Sequence, residues 1–108
     1  MSRGDLSLSV DEQLRFAIAN KRLMQLRYND SLRVVEPHDY GVKKGAAMLL
    51  AYQRRSPGGS AQKAATGWRL FDVSKIAECL ILEEMFRGSR GDVHQQHHVW
   101  DVLYARVA

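Results

Sequence analysis

The fold is decided by a short strand-like run that ends in a turn, Gly67-Trp68-Arg69-Leu70-Phe71-Asp72-Val73-Ser74-Lys75-Ile76. Successive side chains on a strand point to opposite faces, so this run places Arg69 on one face and Asp72 on the other. A solvated edge strand would leave both charges in water. A concave site would instead use Arg69 to hold an anion beside the ring of Phe71. Composition alone favours the solvated edge strand.

Length and charge limit the classes of protein that fit. The chain has 108 residues, of which 45% are hydrophobic, which suits one small domain with a modest core. The formal net charge is +4, and the positive charge is concentrated in residues 32–75, which hold eight Lys or Arg against three Asp or Glu. Residues 76–108 hold three basic and five acidic side chains. This distribution permits binding of nucleic acid or of anionic metabolites.

The chain has a single cysteine, Cys79, which excludes an internal disulfide. Its neighbours Leu80-Ile81-Leu82 favour a buried small hydrophobe over a reactive thiol. Residues 1–5 lack an apolar signal core, and no apolar run approaches the roughly 18 residues that a membrane span needs. We therefore expect a soluble protein of the reducing cytoplasm with no membrane partner.

One helix is expected near the N terminus. Residues 1–9 are mostly small and polar and are expected to form a flexible arm, followed by a single domain over residues 10–108. Ser9-Val10-Asp11-Glu12 fits a capping box, in which two side chains satisfy the first free amides of a helix. Apolar residues then recur at helical spacing on the stripe Val10, Leu14, Ala17 and Ile18. The pattern predicts a helix over residues 10–22.

Extended segments follow this helix. Leu23 to Tyr28 alternates apolar and polar residues, and Asn29-Asp30-Ser31 supplies turn chemistry, so the first two strands are expected to form a hairpin. Pro37 cannot donate to a ladder and is expected to bend the second strand or to lie at an edge. The predicted strands are 23–28, 32–36, 48–52, 67–73 and 77–83. The C-terminal stretch around Trp100 and Tyr104 has a spacing that suits a helix, but its residues mostly favour β structure, so a short terminal strand is preferred. One helix followed by five or six short strands is typical of a mainly β (α+β) protein built as a small β-barrel.

Several short motifs occur in the order and spacing of the WYL domain family. They are Ala17-Ile18, Tyr28, Arg33-Val34-Val35-Glu36-Pro37, Leu49-Leu50-Ala51-Tyr52, Arg69-Leu70-Phe71, Lys75-Ile76 and Phe86. The chain therefore resembles a WYL domain over about residues 12–86, with residues 87–108 as a C-terminal extension. The resemblance implies an Sm-like β-barrel that senses ligands and usually lies behind a helix-turn-helix in bacterial transcriptional regulators. No DNA-binding helix pair fits into the first nine residues, so we expect a stand-alone sensor.

The resemblance also implies a ligand site. Arg33, Arg69 and Lys75 match basic positions of the family. Tyr28 and Tyr52 would supply aromatic walls, and a base stacked on such a ring contributes about 1–3 kcal/mol. The implied ligand is a small anion, a nucleotide or single-stranded nucleic acid.

Two departures from the family pattern bear on this site. Ala47-Met48-Leu49 stands where the family has its Trp-Tyr-Leu triplet, and Asp72 stands where it has an arginine. A carboxylate about 4 Å from Arg69 would be worth roughly 4 kcal/mol at an effective dielectric of about 20, before desolvation. Asp72 would then compete with an anionic ligand for Arg69.

Other chemistries have less support. His94-Gln95-Gln96-His97-His98 offers ligands of the zinc or nickel type, but a solvated polar connector explains it better because no cysteine lies nearby. Glu36 and Asp39 are compatible with a metal-dependent nuclease, yet no acidic-x-Lys element follows them. Glu83 and Glu84 would face opposite ways on a strand, and neither a phosphate-binding loop nor a Gly-x-Ser-x-Gly elbow is present. We therefore expect no catalysis, no metal and no cofactor.

An alternative function stays open. The Ala47-Met48 replacement and Asp72 are also compatible with a module that has lost ligand binding and pairs with itself or with a regulatory protein. The hydrophobic C-terminal segment around Trp100 and Tyr104 would then add a strand to another subunit. This alternative predicts self-association that weakens when residues 99–108 are deleted.

Overall fold

The computed structural model describes residues 8–55, 66–91 and 98–108, which form one helix and six strands. In chain order the elements are α1 (Val10–Asn20), β1 (Arg22–Tyr28), β2 (Ser31–Lys43), β3 (Ala46–Arg55), β4 (Gly67–Asp72), β5 (Ile76–Met85) and β6 (Val102–Arg106). A 3-10 turn, Val73–Lys75, joins β4 to β5. This order confirms a mainly β chain with one N-terminal helix. The predicted arm and the histidine-rich connector lie largely outside the described residues.

The helix α1 begins as its sequence predicts. The Ser9 hydroxyl accepts a hydrogen bond from the Glu12 amide at 3.0 Å, and the Glu12 carboxylate accepts one from the Ser9 amide at 2.9 Å, which completes the capping box. The buried face of the helix consists of Leu14, Ala17 and Ile18. The helix ends before the predicted limit of residue 22, because Lys21 adopts a left-handed conformation with φ 55° and Arg22 already belongs to β1.

The strands form one antiparallel sheet in the order β4-β3-β2-β1-β5, and β6 pairs with a further part of β2. Two tight turns connect β1 to β2 and β2 to β3. Both pass through left-handed conformations, at Asn29 and Asp30 (φ 53° and 61°) and at Lys44 and Gly45 (φ 53° and 80°). Such turns match the twist of the strands that they join, and the first of them confirms the predicted hairpin.

The central strand β2 is longer than predicted. It has 13 residues, from Ser31 to Lys43, rather than residues 32–36 alone. Its pairing with β3 shifts between Pro37 and Asp39, which marks a bulge. On the other side of β2, the pairs with β1 end at Val35 and the pairs with β6 begin at Asp39. On that side of β2, Pro37 therefore lies in a gap between two ladders, where a missing amide hydrogen costs no bond, while on the other side it pairs with Ala51 of β3.

The sheet is strongly curled but not closed. In a flat sheet, β4 and β5 would lie about 19 Å apart, because four spacings of about 4.8 Å separate them. The three-residue 3-10 turn between them spans far less, at about 2 Å per residue. In addition, the ring of Tyr28 on β1 meets the ring of Phe71 on β4 at 4.9 Å between centroids. No ladder between β4 and β5 occurs among the described residues.

A single cluster of buried hydrophobic side chains lies between α1 and the concave face of the sheet. Phe71, at 1% exposed, is the largest of its fully buried side chains. Cys79 is half-buried at the edge of this cluster, and burial raises the pKa of its thiol, as expected for a small hydrophobe. β6 confirms the predicted C-terminal strand. In the described ranges, no helix combines the length and the hydrophobicity needed to cross a membrane.

Candidate functional site

The strand register brings three of the five predicted site residues to one face of the sheet. Arg33 pairs with the buried Leu26, and Arg69 pairs with the buried Ala51. Directly opposed residues point to the same side, so both arginines extend from the face that covers the core. Tyr28 lies two residues beyond Leu26 on β1 and shares that face.

The other two predicted residues lie elsewhere. Tyr52 follows the core-facing Ala51 on β3 and therefore points to the opposite face, where its ring packs edge-on against Trp68 at 5.5 Å between centroids. Lys75 is exposed in the 3-10 turn. Because the next residue, Ile76, pairs with Tyr28, Lys75 lies near the end of the core-facing cluster.

The Arg33 guanidinium lies over two aromatic rings. Its Cζ is 5.5 Å from the centroid of Tyr28 and 5.8 Å from that of Phe71. Arg33 Nη1 donates to Gln53 Oε1 at 3.4 Å, whereas the buried Nε has no hydrogen-bond partner among the described residues. Cation–π contacts of this kind contribute about 0.5–2 kcal/mol, depending on desolvation. We refer to Tyr28, Arg33, Gln53, Arg69 and Phe71 as the Arg33 face.

Asp72 does not share the face of Arg69. The two residues lie three positions apart on β4, so strand alternation sends them to opposite sides. The Asp72 carboxylate accepts hydrogen bonds from the Ser74 hydroxyl at 2.7 Å and from the Ser74 amide at 3.0 Å, and so caps the 3-10 turn. These two bonds, with a smaller contribution from the charge of Lys75, lower the pKa of Asp72. The register therefore argues against the predicted competition between Asp72 and a ligand for Arg69.

A second polar cluster lies on the opposite face, around the carboxylate of Glu36, which is only 3% exposed. Arg90 donates two hydrogen bonds to it, from Nε to Oε1 at 2.9 Å and from Nη2 to Oε2 at 2.8 Å. His38 Nε2 lies 3.1 Å from Oε1, and Arg54 Nη1 lies 3.4 Å from Oε2. We refer to these four side chains as the Glu36 cluster. Two cations and a ring nitrogen therefore surround one buried carboxylate.

The Glu36 cluster favours the ionised carboxylate. Burial alone would raise the pKa of Glu36, but the hydrogen bonds from His38 and Arg90 and the charge of Arg90 outweigh burial. They lower the pKa from the ordinary 4.5 to about 2. The Arg90 guanidinium also lies over the Tyr52 ring, with Cζ 3.6 Å from the centroid. Tyr52 therefore supports Arg90 and does not contribute to the Arg33 face.

His38 is completely buried beside Glu36. Its ring contacts the rings of Trp68 and Phe86, at 4.8 Å and 5.3 Å between centroids. Because an ionised carboxylate can only accept, Nε2 carries the hydrogen that faces Glu36. Nδ1 is left without a hydrogen-bond partner in the part of the chain that the structure describes. At 0% exposure the imidazole cannot reach a substrate, so we interpret the His38–Glu36 pair as structural.

A parallel interaction fastens the C-terminal strand to β2. Asp39, which is 0% exposed, accepts hydrogen bonds from Arg106 Nε and Nη2, both at 3.0 Å. The Val107 amide donates to the His38 carbonyl at 2.8 Å. These contacts hold β6 against β2. The Arg90–Glu36 pair likewise holds the segment that follows β5 against β2.

Sequence patterns did not predict these clusters, although one signal was present. Glu36-Pro37-His38-Asp39 interrupts an apolar strand, and ionisable residues within such a strand require partners when they are buried. The partners Arg90 and Arg106 lie 54 and 67 residues away from Glu36 and Asp39. Local spacing could therefore not identify them.

The described ranges contain no group of three or more His, Cys, Asp or Glu side chains arranged to hold a metal ion. His94 and His97 lie outside those ranges, so the predicted polar connector is not assessed there. In the comparisons with known proteins, no protein-family model, no curated protein and no solved structure matches this chain. The resemblance to the WYL family and the function that it implies therefore stay predictions.

Proposed function

We propose that the chain is a WYL-like sensing module without catalytic activity that binds an anionic ligand, such as a nucleotide or single-stranded nucleic acid. The observation that carries this proposal is the geometry of the Arg33 face. There, an arginine without an ion-pair partner among the described residues lies over the rings of Tyr28 and Phe71. Arg69 extends from the same face of the sheet.

This combination of groups suits the two parts of a nucleotide. A guanidinium binds phosphate through paired hydrogen bonds, and the half-buried ring of Tyr28 can stack on a base, whereas Phe71 is buried beneath it. Arg33 is half-buried, so an anion beside it would be screened less by water than on a flat surface. Lys75, exposed at the nearby turn, adds positive charge to the approach.

We also propose that the curled sheet is an Sm-like barrel. Its support is the curl that brings β4 and β5 to either end of a three-residue turn. The bulge in β2 contributes, because bulges increase twist and bend a sheet towards closure. The contact between Tyr28 and Phe71, across two intervening strands, has the geometry expected inside a small barrel.

The test is a fluorescence-anisotropy titration of labelled oligothymidine with the wild-type chain and with Arg33→Gln and Arg69→Gln. We expect each substitution to weaken binding about tenfold, the effect of losing one charged hydrogen bond. Arg27→Gln is the matched control, because it removes the same charge from the opposite face of β1, where Arg27 pairs with Glu78 at 3.6 Å. Unchanged affinity in folded Arg33→Gln and Arg69→Gln proteins would reject the Arg33 face as the site.

One observation favours a protein-interaction function as the second candidate. β6 carries exposed apolar side chains, with Val102 at 51%, Leu103 at 38% and Tyr104 at 40% exposed. It pairs with β2 of its own chain, and within the described ranges no strand pairs with its other edge. An exposed apolar edge strand is a template for adding a strand from another chain.

The oligomeric state tests this second candidate. Deletion of residues 99–108 would also remove Arg106 from the buried Asp39, so the point variant Val102→Lys is the cleaner probe. Sedimentation equilibrium should show self-association of the wild-type chain that Val102→Lys reduces. A strictly monomeric wild-type chain at high concentration would reject the homomeric form of this function.

A further inference from the structure

A groove of about 720 Å³ opens beside the Glu36 cluster, on the face of the sheet opposite the Arg33 face. Its lining comes from β2, from the end of β3 and from the segment that follows β5. A volume of this size lies within the range of about 300–1,000 Å³ that is typical of small-molecule sites. The groove contains none of the five residues that the sequence predicted as a site.

Positive charge dominates the lining of this groove. Three arginines, Arg54, Arg87 and Arg90, face a single carboxylate, that of Glu36. Arg90 uses two of its donors on Glu36, whereas Arg54 approaches it only through Nη1, at 3.4 Å. Among the described residues, Arg87 has neither a hydrogen-bond nor an ion-pair partner. An anion in the groove would therefore meet donors that Glu36 does not satisfy.

The Glu36 cluster also orders the groove before any ligand binds. Glu36 is almost completely buried and fixes Arg90 from one side, while the Tyr52 ring lies 3.6 Å from the Arg90 Cζ. An ordered guanidinium loses less conformational entropy when it binds an anion than a free one does. Arg90 is thus an ordered cation at the side of the groove and adds positive charge beside the exposed Arg54 and Arg87.

Apolar groups complete the lining. Phe86 is 8% exposed and forms part of the hydrophobic core, and the neighbouring Met85 is 63% exposed. A flexible thioether adapts to irregular apolar ligands. The groove therefore offers apolar contact beside its positive charge. A purely inorganic anion has no apolar surface with which to make that contact.

We infer that this groove binds an organic anion of about nucleotide size, with its phosphate or carboxylate group on Arg54 and Arg87 and its apolar part on Met85 and Phe86. The site lies on the other face of the sheet from the Arg33 face and does not rest on the proposed function. The arginines select for an anionic group, and the exposed thioether of Met85 selects for an apolar part of the same ligand.

The test is an NMR titration of the full chain, uniformly labelled with ¹⁵N, with phenyl phosphate, benzoate and inorganic phosphate in turn. We expect saturable shifts of the amides of residues 86–90 with phenyl phosphate, benzoate or both, which also tells the phosphate source from the carboxylate source. Inorganic phosphate should bind at least about tenfold more weakly, because it has no apolar part. Arg87→Gln should weaken binding about tenfold, the effect of one charge-assisted hydrogen bond.

Arg27→Gln is the matched control and should leave this titration within about twofold of the wild-type chain, because Arg27 lies outside the groove. Equal affinity for inorganic phosphate and phenyl phosphate would overturn the role of the apolar groups. The site would be overturned if the shifts were confined to Tyr28 and Arg33. It would also be overturned if Arg87→Gln left the affinity unchanged, or if no saturable shift occurred at millimolar concentrations.

Discussion

Replacing Glu36 with glutamine is expected to remove a large part of the acid dependence of stability. The pKa of Glu36 is about 2 in the folded chain against an ordinary 4.5. A difference of this size corresponds to roughly 3 kcal/mol of unfolding free energy. Because the folded value is the lower one, the stabilisation is complete above the unfolded pKa and is lost as the pH falls from about 4.5 towards 2. By about pH 3 we expect roughly 2 kcal/mol of it to be gone.

The assay is urea unfolding, followed by far-UV circular dichroism, of the wild-type chain and of Glu36→Gln at neutral pH and near pH 3. The variant should be less stable by about 3 kcal/mol at neutral pH, because its amide nitrogen faces donors of Arg90 or His38. The difference should shrink to about 1 kcal/mol near pH 3. Glu78→Gln is the matched control, since its carboxylate is 72% exposed and worth at most about 1 kcal/mol. Equal pH slopes for the wild-type chain and Glu36→Gln would refute the reasoning.

Three further predictions concern the elements around the two clusters. Asp39→Asn should cost about 1–3 kcal/mol in urea unfolding, because the buried side chain loses its charge-assisted hydrogen bonds from the half-exposed Arg106, and a loss below about 0.5 kcal/mol would contradict this. Gly41→Ala would place a Cβ 2.1 Å from the Val102 carbonyl oxygen of β6, which would push β6 away from β2. Amide hydrogen exchange in β6 should therefore accelerate, and unchanged exchange would show that the pairing of β6 does not depend on a glycine at this position. Tyr28→Phe removes the acceptor of the Asp72 amide hydrogen bond at 3.0 Å and should cost about 1 kcal/mol in thermal unfolding, whereas no shift would argue against that bond.

Elements governed by local chemistry could be predicted from the sequence. The capping box at Ser9 and Glu12 needs only neighbouring residues, and the structure confirms it. The hairpin at Asn29 and Asp30 follows from the tolerance of these residues for left-handed conformations, and it is also confirmed. The predicted length of β2 was wrong. The prediction ended at Glu36 because Glu36-Pro37-His38-Asp39 has the composition of a strand end, whereas the strand continues to Lys43.

The candidate sites depend on contacts that are distant in the sequence. Tyr28 and Tyr52 have the same chemistry, but only the register of the strands shows that they lie on opposite faces. The partner of Glu36 is Arg90, which lies 54 residues further along the chain, beyond three predicted strands. Charge and periodicity indicate that an arginine is available, but they do not indicate which buried carboxylate it will bind.

The most direct test of the proposed function is the salt dependence of oligothymidine binding, measured by fluorescence anisotropy with double-stranded DNA as the comparison. We predict micromolar or tighter binding that prefers the single strand and weakens steeply as salt increases, because each phosphate contact releases counterions. Arg33→Gln should reduce the slope of log affinity against log salt by about one contact. Absence of binding to single strands at low salt would contradict the account.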